Sequence, residues 1–363
     1  MMLHENKTLS NTSVNDVYNT NKNIICATFF TISTVSILFN GLVVSLFCWK
    51  ARLLLQKKPS NSILFSLSVC DVLTGVDLIL TTVTILVGNI PLSYRILLDI
   101  CEAFLAKTLL FHLCGLTLDR YIALFFALRY ETIVTHTNIR RFIIISWTIP
   151  FLASVVQLTW LYEVMAGTIS SYVAEIDFWF SLIAFLLFLA VPMILLAIAF
   201  ITMLIEIQRI IRSTPEIEGL STVTVKEKRA IHMFSLMYLT FLLLGMPYYT
   251  YRLWNDIRHY LHGVQDNVSP AVWRLIVALK YFTSIIRPLL YGFSSFELRK
   301  VGRQLMDKLL RCNNFMYIDS SKQFQLSQLL GRSPRTGKHN GEIDFKYDYN
   351  LKVTRSETDT TVC

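Results

Sequence analysis

The chain contains seven long apolar runs, and their number and length constrain the fold more than any other feature. A hydrocarbon core about 30 Å thick is crossed by roughly 20 helical residues at a rise of about 1.5 Å each. Runs of that length occupy residues 24–49, 63–90, 97–126, 142–162, 178–205, 230–254 and 272–293. Only 16% of the residues are charged, fewer than in ordinary soluble domains. We therefore predict an all-α membrane protein that folds as a seven-transmembrane helix bundle.

The Lys and Arg residues between the runs predict the orientation of the bundle. They concentrate in alternate loops: Lys50, Arg52, Lys57 and Lys58 in the first, Arg129, Arg140 and Arg141 in the third, and Arg209, Arg212, Lys226, Lys228 and Arg229 in the fifth. Because short basic loops stay in the cytoplasm, we expect a multi-pass plasma-membrane protein with its N-terminus outside and its C-terminus cytoplasmic. The net charge of +9 is spread over these loops rather than over one face, so we expect no nucleic-acid partner.

The flanks of the apolar region divide the chain into four parts. Residues 1–23 are polar and are predicted to form an extracellular N-terminal tail, followed by the seven-transmembrane bundle at 24–293. Residues 294–312 combine apolar and basic residues at helical spacing, which predicts an amphipathic helix 8 lying against membrane lipid. Residues 313–363 have few core-forming side chains, and we expect a disordered cytoplasmic tail there.

Several residues in the flanks match modification sequences. Asn6 and Asn11 begin sequons in the predicted outer tail and are expected to be glycosylated. Cys312 ends the amphipathic helix and is a predicted palmitoylation site, with a free thiol as the alternative. Candidate phosphorylation sites near the C-terminus are Thr354, Ser356, Thr358, Thr360 and Thr361. Phosphorylation there would create an anionic patch that attracts a basic partner.

The sequence offers no chemistry for catalysis or for a metal. Its seven cysteines are scattered, without a CxxC pair or a neighbouring histidine cluster. The spacing of the candidate catalytic residues along the chain does not allow a nucleophile, a base and an orienting group to be assembled. We therefore expect a protein that is not an enzyme and that has neither a cofactor nor a metal site.

Short motifs recur in a fixed order along the seven runs. Asp119-Arg120-Tyr121 ends the third run, where ionisable side chains near lipid are costly unless they are paired or functional. The other motif residues are Asn40, Asp71, Trp147, Pro192, Phe241, Pro247, Pro288 and Tyr291. In this order the motifs resemble those of rhodopsin-like G-protein-coupled receptors over about residues 24–312. The resemblance implies a receptor that binds an extracellular small-molecule ligand, activates a heterotrimeric G protein and recruits arrestin once its tail is phosphorylated.

The resemblance also implies an activation switch. It would comprise Asp71, Asp119, Arg120, Tyr121, Glu227, Phe241, Pro247, Arg287, Pro288 and Tyr291. Arg120 is expected to pair with Glu227 in the resting receptor, unless Glu227 is only one charge of a solvated run. The helix prolines remove backbone hydrogen bonds, so we expect kinks about which the helices pivot.

Three departures from the family pattern concern this switch and the outer face. Arg287 replaces the asparagine before the helix-seven proline and is placed to pair with Asp71, which predicts a receptor that does not respond to sodium. Gly245 replaces the tryptophan two residues before Pro247, so that aromatic switch is absent or has moved to a neighbouring tyrosine. Arg95 replaces the usual helix-three cysteine, and the outer disulfide of the family cannot form.

Polar side chains in the outer halves of the runs predict a ligand pocket. We assign it to Asp77, Glu102, Lys107, Tyr248, Tyr249, Arg252 and Tyr281, with Asp99 and Lys280 nearby. Glu102 aligns with the aspartate of amine receptors and would bind an ammonium beside aromatic rings. The alternative is that Glu102 pairs internally with Lys107 or Lys280, which would leave no charge for an amine.

Two other functions compete with an amine-like ligand. An opsin-like relative would carry a retinal lysine seven residues before Pro288, but that position is Tyr281, and Lys280 lies about 100° away around the helix. A transporter would be expected to contain inverted repeats, and the runs show no obvious ones.

Overall fold

A computed structural model describes residues 2–56, 58–166, 171–213, 218–262, 269–294, 298–305 and 307 of the chain. Side chains in the first helix are described from Lys22 onward, and those in the ninth helix from Lys228 onward. The chain divides into two units, 1–305 and 306–363, and almost all of the second lies outside the described residues. The structural description therefore concerns the first unit.

The described part of this unit is a bundle of helices without β-strands, which confirms the all-α prediction. Its α-helices are α1 (Met2–Trp49), α2 (Asn61–Val87), α3 (Leu92–Phe125), α4 (Tyr130–Ile133), α5 (His136–Val156), α6 (Leu158–Ala166), α7 (Ser171–Phe185), α8 (Val191–Ser213), α9 (Glu218–Thr240), α10 (Met246–His262) and α11 (Pro270–Ser294). Residues 298–305 are also helical, within the predicted amphipathic segment.

These helices form seven spans. Six segments of the described chain are long and apolar enough to cross a membrane: Lys22–Trp49, Asn61–Val87, His136–Trp160, Glu175–Arg212, Lys228–Arg258 and Ala271–Gly292. The third span is α3, which carries several charged side chains. The fifth span joins α7 to α8, and the sixth joins α9 to α10. We refer to the end of the bundle that holds Arg120 as the inner end and to the opposite end as the outer end, following the predicted orientation.

Two of the three predicted proline kinks coincide with wide helical turns. A π-helical turn at Leu186–Ala190 precedes Pro192, and another at Phe241–Gly245 precedes Pro247. Because proline cannot donate a backbone hydrogen bond and crowds the preceding turn, a widened turn there relieves both problems. Pro288, by contrast, lies inside the continuous helix α11.

The bundle has an apolar exterior as well as an apolar core. Along α8, Ile194, Leu195, Ile201 and Ile205 are each 58–60% exposed. Met203 and Ile207 of the same helix are buried in the core. A helix that is apolar on all sides is stable when its outer face meets lipid, and this arrangement agrees with a membrane-spanning bundle.

Polar side chains join the first, second and seventh spans at the centre of the bundle. The Tyr291 hydroxyl donates to Asn40 Oδ1 at 3.0 Å and lies 2.9 Å from Ser68 Oγ. Asn40 Nδ2 in turn donates to the carbonyl oxygen of Ser284 at 3.0 Å. All four residues are buried, so these hydrogen bonds satisfy groups that water does not reach.

Candidate functional site

An acid–base pair lies at the centre of the bundle, where the sequence predicts one. Arg287 Nε donates to Asp71 Oδ2 at 3.0 Å, and Arg287 Nη2 donates to the other carboxylate oxygen. Arg287 Nη1 also donates to Thr283 Oγ1 at 3.0 Å. The side chains are only 2% and 0% exposed, so the guanidinium and the carboxylate neutralise each other away from solvent.

A second acid–base pair lies nearer the outer end. Lys280 on α11 donates to Glu102 on α3, and the Tyr248 hydroxyl donates to the same carboxylate oxygen. The Lys280 ammonium also lies 4.1 Å from the ring centre of Tyr248 and 4.5 Å from that of Tyr281. Of the two internal partners expected for Glu102, the structure therefore selects Lys280.

Two further carboxylates stand close to this pair. Both oxygens of Asp99 accept hydrogen bonds from Arg252 Nη2 at 2.9 Å. Tyr281 donates a long hydrogen bond of 3.5 Å to Asp77 Oδ2, while the other oxygen of this buried carboxylate has no partner among the described residues. Sequence reasoning named all of these residues but did not pair Asp99 with Arg252.

The predicted pocket residues are distributed over three cavities. The cavity that we term the outer cavity measures about 130 Å³ and lies between α3, α5, α7 and α10. Its polar lining is Glu102, Lys107, Gln157, Ser181, Tyr249, Arg252 and Asp256. Its apolar lining includes Phe180, Phe185, Phe188, Leu189 and Leu253.

The remaining predicted pocket residues line two neighbouring cavities. Asp77 and Tyr281 border a space of about 30 Å³ that also reaches Arg287. Tyr248 borders a space of about 640 Å³ beside α1, α2 and α11. Glu102 lines all three cavities, whereas its partner Lys280 lines only the space of about 30 Å³. Sequence reasoning missed Gln157 and Asp256, since neither occupies a motif position.

Two aromatic residues lie near Gly245, the position at which the family pattern has a tryptophan. The buried ring of Phe241 lies so close that a Cβ added to Gly245 would be 3.3 Å from Phe241 Cδ2. Tyr249 also stacks on the Phe241 ring, at 6.1 Å between ring centres. The π-helical turn thus brings Phe241 and Tyr249 together at the inner boundary of the cavities.

The inner end of α3 carries another acid–base pair. Arg120 Nε donates to Asp119 Oδ2 at 2.9 Å, and both side chains are buried. Tyr130 donates to Asp119 Oδ1 at 2.7 Å. Burial and the adjacent Asp119 raise the pKa of Tyr130 to about 12, so its hydroxyl remains protonated and able to donate. Tyr121 points away from this pair and packs on Phe125, at 4.5 Å between ring centres.

A buried histidine joins three spans and was not found from the sequence. His112 Nε2 lies 2.8 Å from Ser66 Oγ, and Trp147 Nε1 donates to the same oxygen at 2.8 Å. His112 Nδ1 lies 2.7 Å from the carbonyl oxygen of Thr108. These contacts satisfy both ring nitrogens, which is typical of a structural histidine.

Several predicted functional residues lie outside the part of the chain whose side chains are described. They are Asn6, Asn11, Glu227, Cys312, Thr354, Ser356, Thr358, Thr360 and Thr361. The helix α9 includes the backbone of Glu227, but the expected contact of its carboxylate with Arg120 remains a prediction.

The bundle has seven helical spans, a polar cavity towards one end and a buried Asp–Arg pair at the other. This is the architecture of a helical membrane receptor. The family model for the 7 transmembrane receptor (rhodopsin family) matches residues 39–291. This match covers more than half of the chain, and the chain belongs to that family. The rhodopsin-like resemblance inferred from the motifs is thereby confirmed, and the transporter alternative is removed.

Among curated proteins, the chain is similar to the 5-hydroxytryptamine receptor 1E of Cavia porcellus. The two are 31% identical over 147 residues, which cover 39% of this chain and 39% of the relative. The alignment therefore spans about two-fifths of the relative and does not by itself transfer that protein's ligand.

Proposed function

We propose that this protein is a G-protein-coupled receptor that binds a small extracellular molecule in the outer cavity and activates a heterotrimeric G protein. Two observations together support the proposal. The cavity is lined by apolar rings and a few convergent polar groups, and the chain belongs to the receptor family. Charged side chains are rare at membrane depth, and here Glu102, Lys107, Arg252 and Asp256 line the cavity.

The proposed mechanism is a population shift between two helix arrangements. In the resting arrangement Arg120 is held by Asp119 and, as the sequence predicts, by Glu227 on the sixth span. Ligand binding at the outer end favours an arrangement in which the sixth span moves and Arg120 is released to a G protein. The π-helical turn before Pro247 supplies a weak point at which this span bends.

An amine is the ligand class that the relative favours, since its name is that of a receptor for 5-hydroxytryptamine. Glu102 is the acid that would bind the ammonium. Its carboxylate is already bonded to Lys280 and Tyr248, so an amine must displace Lys280 or share the carboxylate with it. This competition lowers the affinity expected for a simple amine.

Further parts of the proposal concern the two faces of the membrane. The N-terminus is proposed to lie outside the cell with Asn6 and Asn11 glycosylated. The tail is proposed to be palmitoylated at Cys312, to contact lipid through the amphipathic helix and to bind arrestin after phosphorylation.

The test is a screen of small amines, carboxylates and amino acids on cells that express the full chain with a G-protein dissociation sensor. A compound that triggers dissociation only in expressing cells supports the proposal. The variant Glu227→Ala is expected to raise ligand-independent dissociation, and Lys228→Ala on the same helix serves as the control. If no G-protein class responds although the receptor reaches the cell surface and binds a compound, the proposed function is wrong.

A further inference from the structure

Among the described cations in the outer half of the bundle are Lys107, Arg252 and Lys280, of which the last two are each paired with a carboxylate. Arg252 is bonded to both oxygens of Asp99, and Lys280 is bonded to Glu102. The third cation, Lys107 on α3, lines the outer cavity beside these pairs. Its environment therefore differs from that of the other two.

Lys107 makes one hydrogen bond, and its partner carries no charge. The Lys107 ammonium donates to Ser154 Oγ at 3.0 Å and lies 5.9 Å from the ring centre of Phe188. Within the described part of the chain no carboxylate lies at salt-bridge distance from Lys107. Placing an ammonium at membrane depth without a counter-ion costs free energy. Lys107 is therefore available to bind an anion.

A second polar side chain in the same cavity has no hydrogen-bond partner among the described residues. Gln157 lines the outer cavity and is only 8% exposed. Its side-chain amide makes no hydrogen bond with the residues that the structure describes. Gln157 follows Ser154 by one helical turn on the same face, so the amide lies next to the site at which Ser154 holds the Lys107 ammonium. The Gln157 amide and the N–H groups of Lys107 that Ser154 does not use thus line one cavity.

The acids around the cavity do not compensate Lys107. Glu102 is occupied by Lys280, and Asp99 by Arg252. Asp256 also lines the cavity, but it stands on α10 one turn further out than Arg252. Lys107 lies roughly 12 Å further inward than Asp99 along α3, at about 1.5 Å per residue. The inner part of the cavity is therefore cationic, whereas its outer part contains an acid.

From this geometry we propose that Lys107 and Gln157 bind the anionic end of the receptor's ligand, a small carboxylate with an aromatic or aliphatic body. The carboxylate accepts hydrogen bonds from the ammonium and from the Gln157 amide. The body lies against Phe180, Phe185 and Phe188, which supply the apolar surface of the cavity. This inference rests on the proposed receptor function and gives its ligand a charge and an orientation.

The experiment measures binding to the purified full-length receptor in lipid nanodiscs, by calorimetry and by shifts of the melting temperature. The probes share one body: 3-phenylpropionate, 3-phenylpropylamine and 3-phenylpropanol, with hexanoate and benzoate extending the carboxylate series. We expect carboxylates to bind the wild type and the alcohol not to bind. Lys107→Met is expected to weaken carboxylate binding roughly ten- to hundredfold, as for a lost charge-assisted hydrogen bond.

The variants separate charge from folding. Lys107→Arg keeps the charge and is expected to retain most of the binding, whereas Gln157→Leu is expected to weaken it less than Lys107→Met does. Lys228→Met removes an exposed lysine far from the cavity and should change nothing. If Lys107→Met does not fold, Lys107→Gln replaces it. Equal carboxylate binding to wild type and Lys107→Met, binding of the amine alone, or no binding by any carboxylate would overturn the inference.

A parallel G-protein dissociation assay keeps the two proposals distinguishable. Lys107-dependent carboxylate binding without any G-protein response supports the anion site and contradicts the receptor function. A G-protein response to an amine that is the same in Lys107→Met supports the receptor function and contradicts the anion site.

Discussion

The centre of the bundle and its outer half each hold an acid–base pair, but the two pairs have different surroundings. Asp71 and Arg287 are almost fully enclosed, with side chains 0% and 2% exposed, and of the two only Arg287 borders the space of about 30 Å³. Glu102 and Lys280 are 20% and 8% exposed and border cavities on several sides. The enclosed pair joins the second span to the seventh, whereas the outer pair is placed to exchange a partner for a ligand.

This difference predicts how the two regions respond to substitution. Removing one member of an enclosed pair leaves a charge that water cannot reach, and the folded state loses stability. Removing one member of a pair beside a cavity leaves a charge that water or a ligand can solvate. The stability cost is then smaller, and the binding properties change instead.

The largest effect is expected from Arg287→Met. The buried Asp71 carboxylate would be left without its counter-ion, which costs about 3–5 kcal/mol of stability. A fall in the melting temperature of the purified receptor, measured with a thiol-reactive or intrinsic-fluorescence probe, checks this.

The matched control is the double variant Asp71→Asn with Arg287→Met, which removes both charges. It is expected to recover much of the stability lost in Arg287→Met. A double variant that is no more stable than the single one would mean that packing, not the charge pair, makes Arg287 important.

A smaller cost is expected from Lys280→Met, about 1–3 kcal/mol, because the remaining Glu102 keeps its Tyr248 hydrogen bond and reaches the cavities. The same variant should gain affinity for 3-phenylpropylamine, since the carboxylate is no longer occupied. Calorimetry on wild type and variant measures both effects, with Glu102→Gln as the control that removes the acid. An unchanged amine affinity would show that Glu102 is not accessible from the cavity.

A still smaller effect is expected from Tyr291→Phe. The hydroxyl lost from the centre of the bundle bonds Asn40 and Ser68, and its loss leaves those groups with fewer partners, at about 1–2 kcal/mol. Thermal unfolding of the variant checks the value. Stability equal to that of the wild type would contradict the role given to these hydrogen bonds.

The smallest effect is expected from sodium. Arg287 already neutralises Asp71, so replacing sodium by N-methylglucamine should leave ligand affinity unchanged. The receptor tested must be the wild type in nanodiscs. A sodium-dependent affinity that disappears in Asp71→Ala would refute the prediction.

The spans could be predicted from the sequence because lipid imposes a simple length rule, but their ends could not. The sixth apolar run stops at Trp254, whereas α10 continues to His262. The additional residues include Asp256 and Arg258, whose charges end the apolar run although the helix continues. Hydropathy reports where lipid ends, and backbone hydrogen bonding decides where a helix ends.

The centre of the candidate site could also be predicted, whereas the partner of Glu102 could not. Asp71 and Arg287 occupy adjoining motif positions, and the structure pairs them. Glu102 had two candidate partners. Lys107 follows it by five residues on one helix and so faces about 140° away, a spacing that already disfavours the contact. The choice of Lys280 and the pairing of Asp99 with Arg252 depend on how helices approach one another, which no single helix encodes.

The central claim, that the outer cavity is where ligand binds, is tested most directly by filling it. Ala184 lines the cavity, whereas Ala197, about three and a half turns further along the same span, does not. Saturation binding of the strongest compound from the amine and carboxylate panels is compared in Ala184→Phe and Ala197→Phe at equal surface expression. Ala184→Phe is expected to lose binding, and Ala197→Phe is expected to keep it. Undiminished binding in Ala184→Phe would contradict the account.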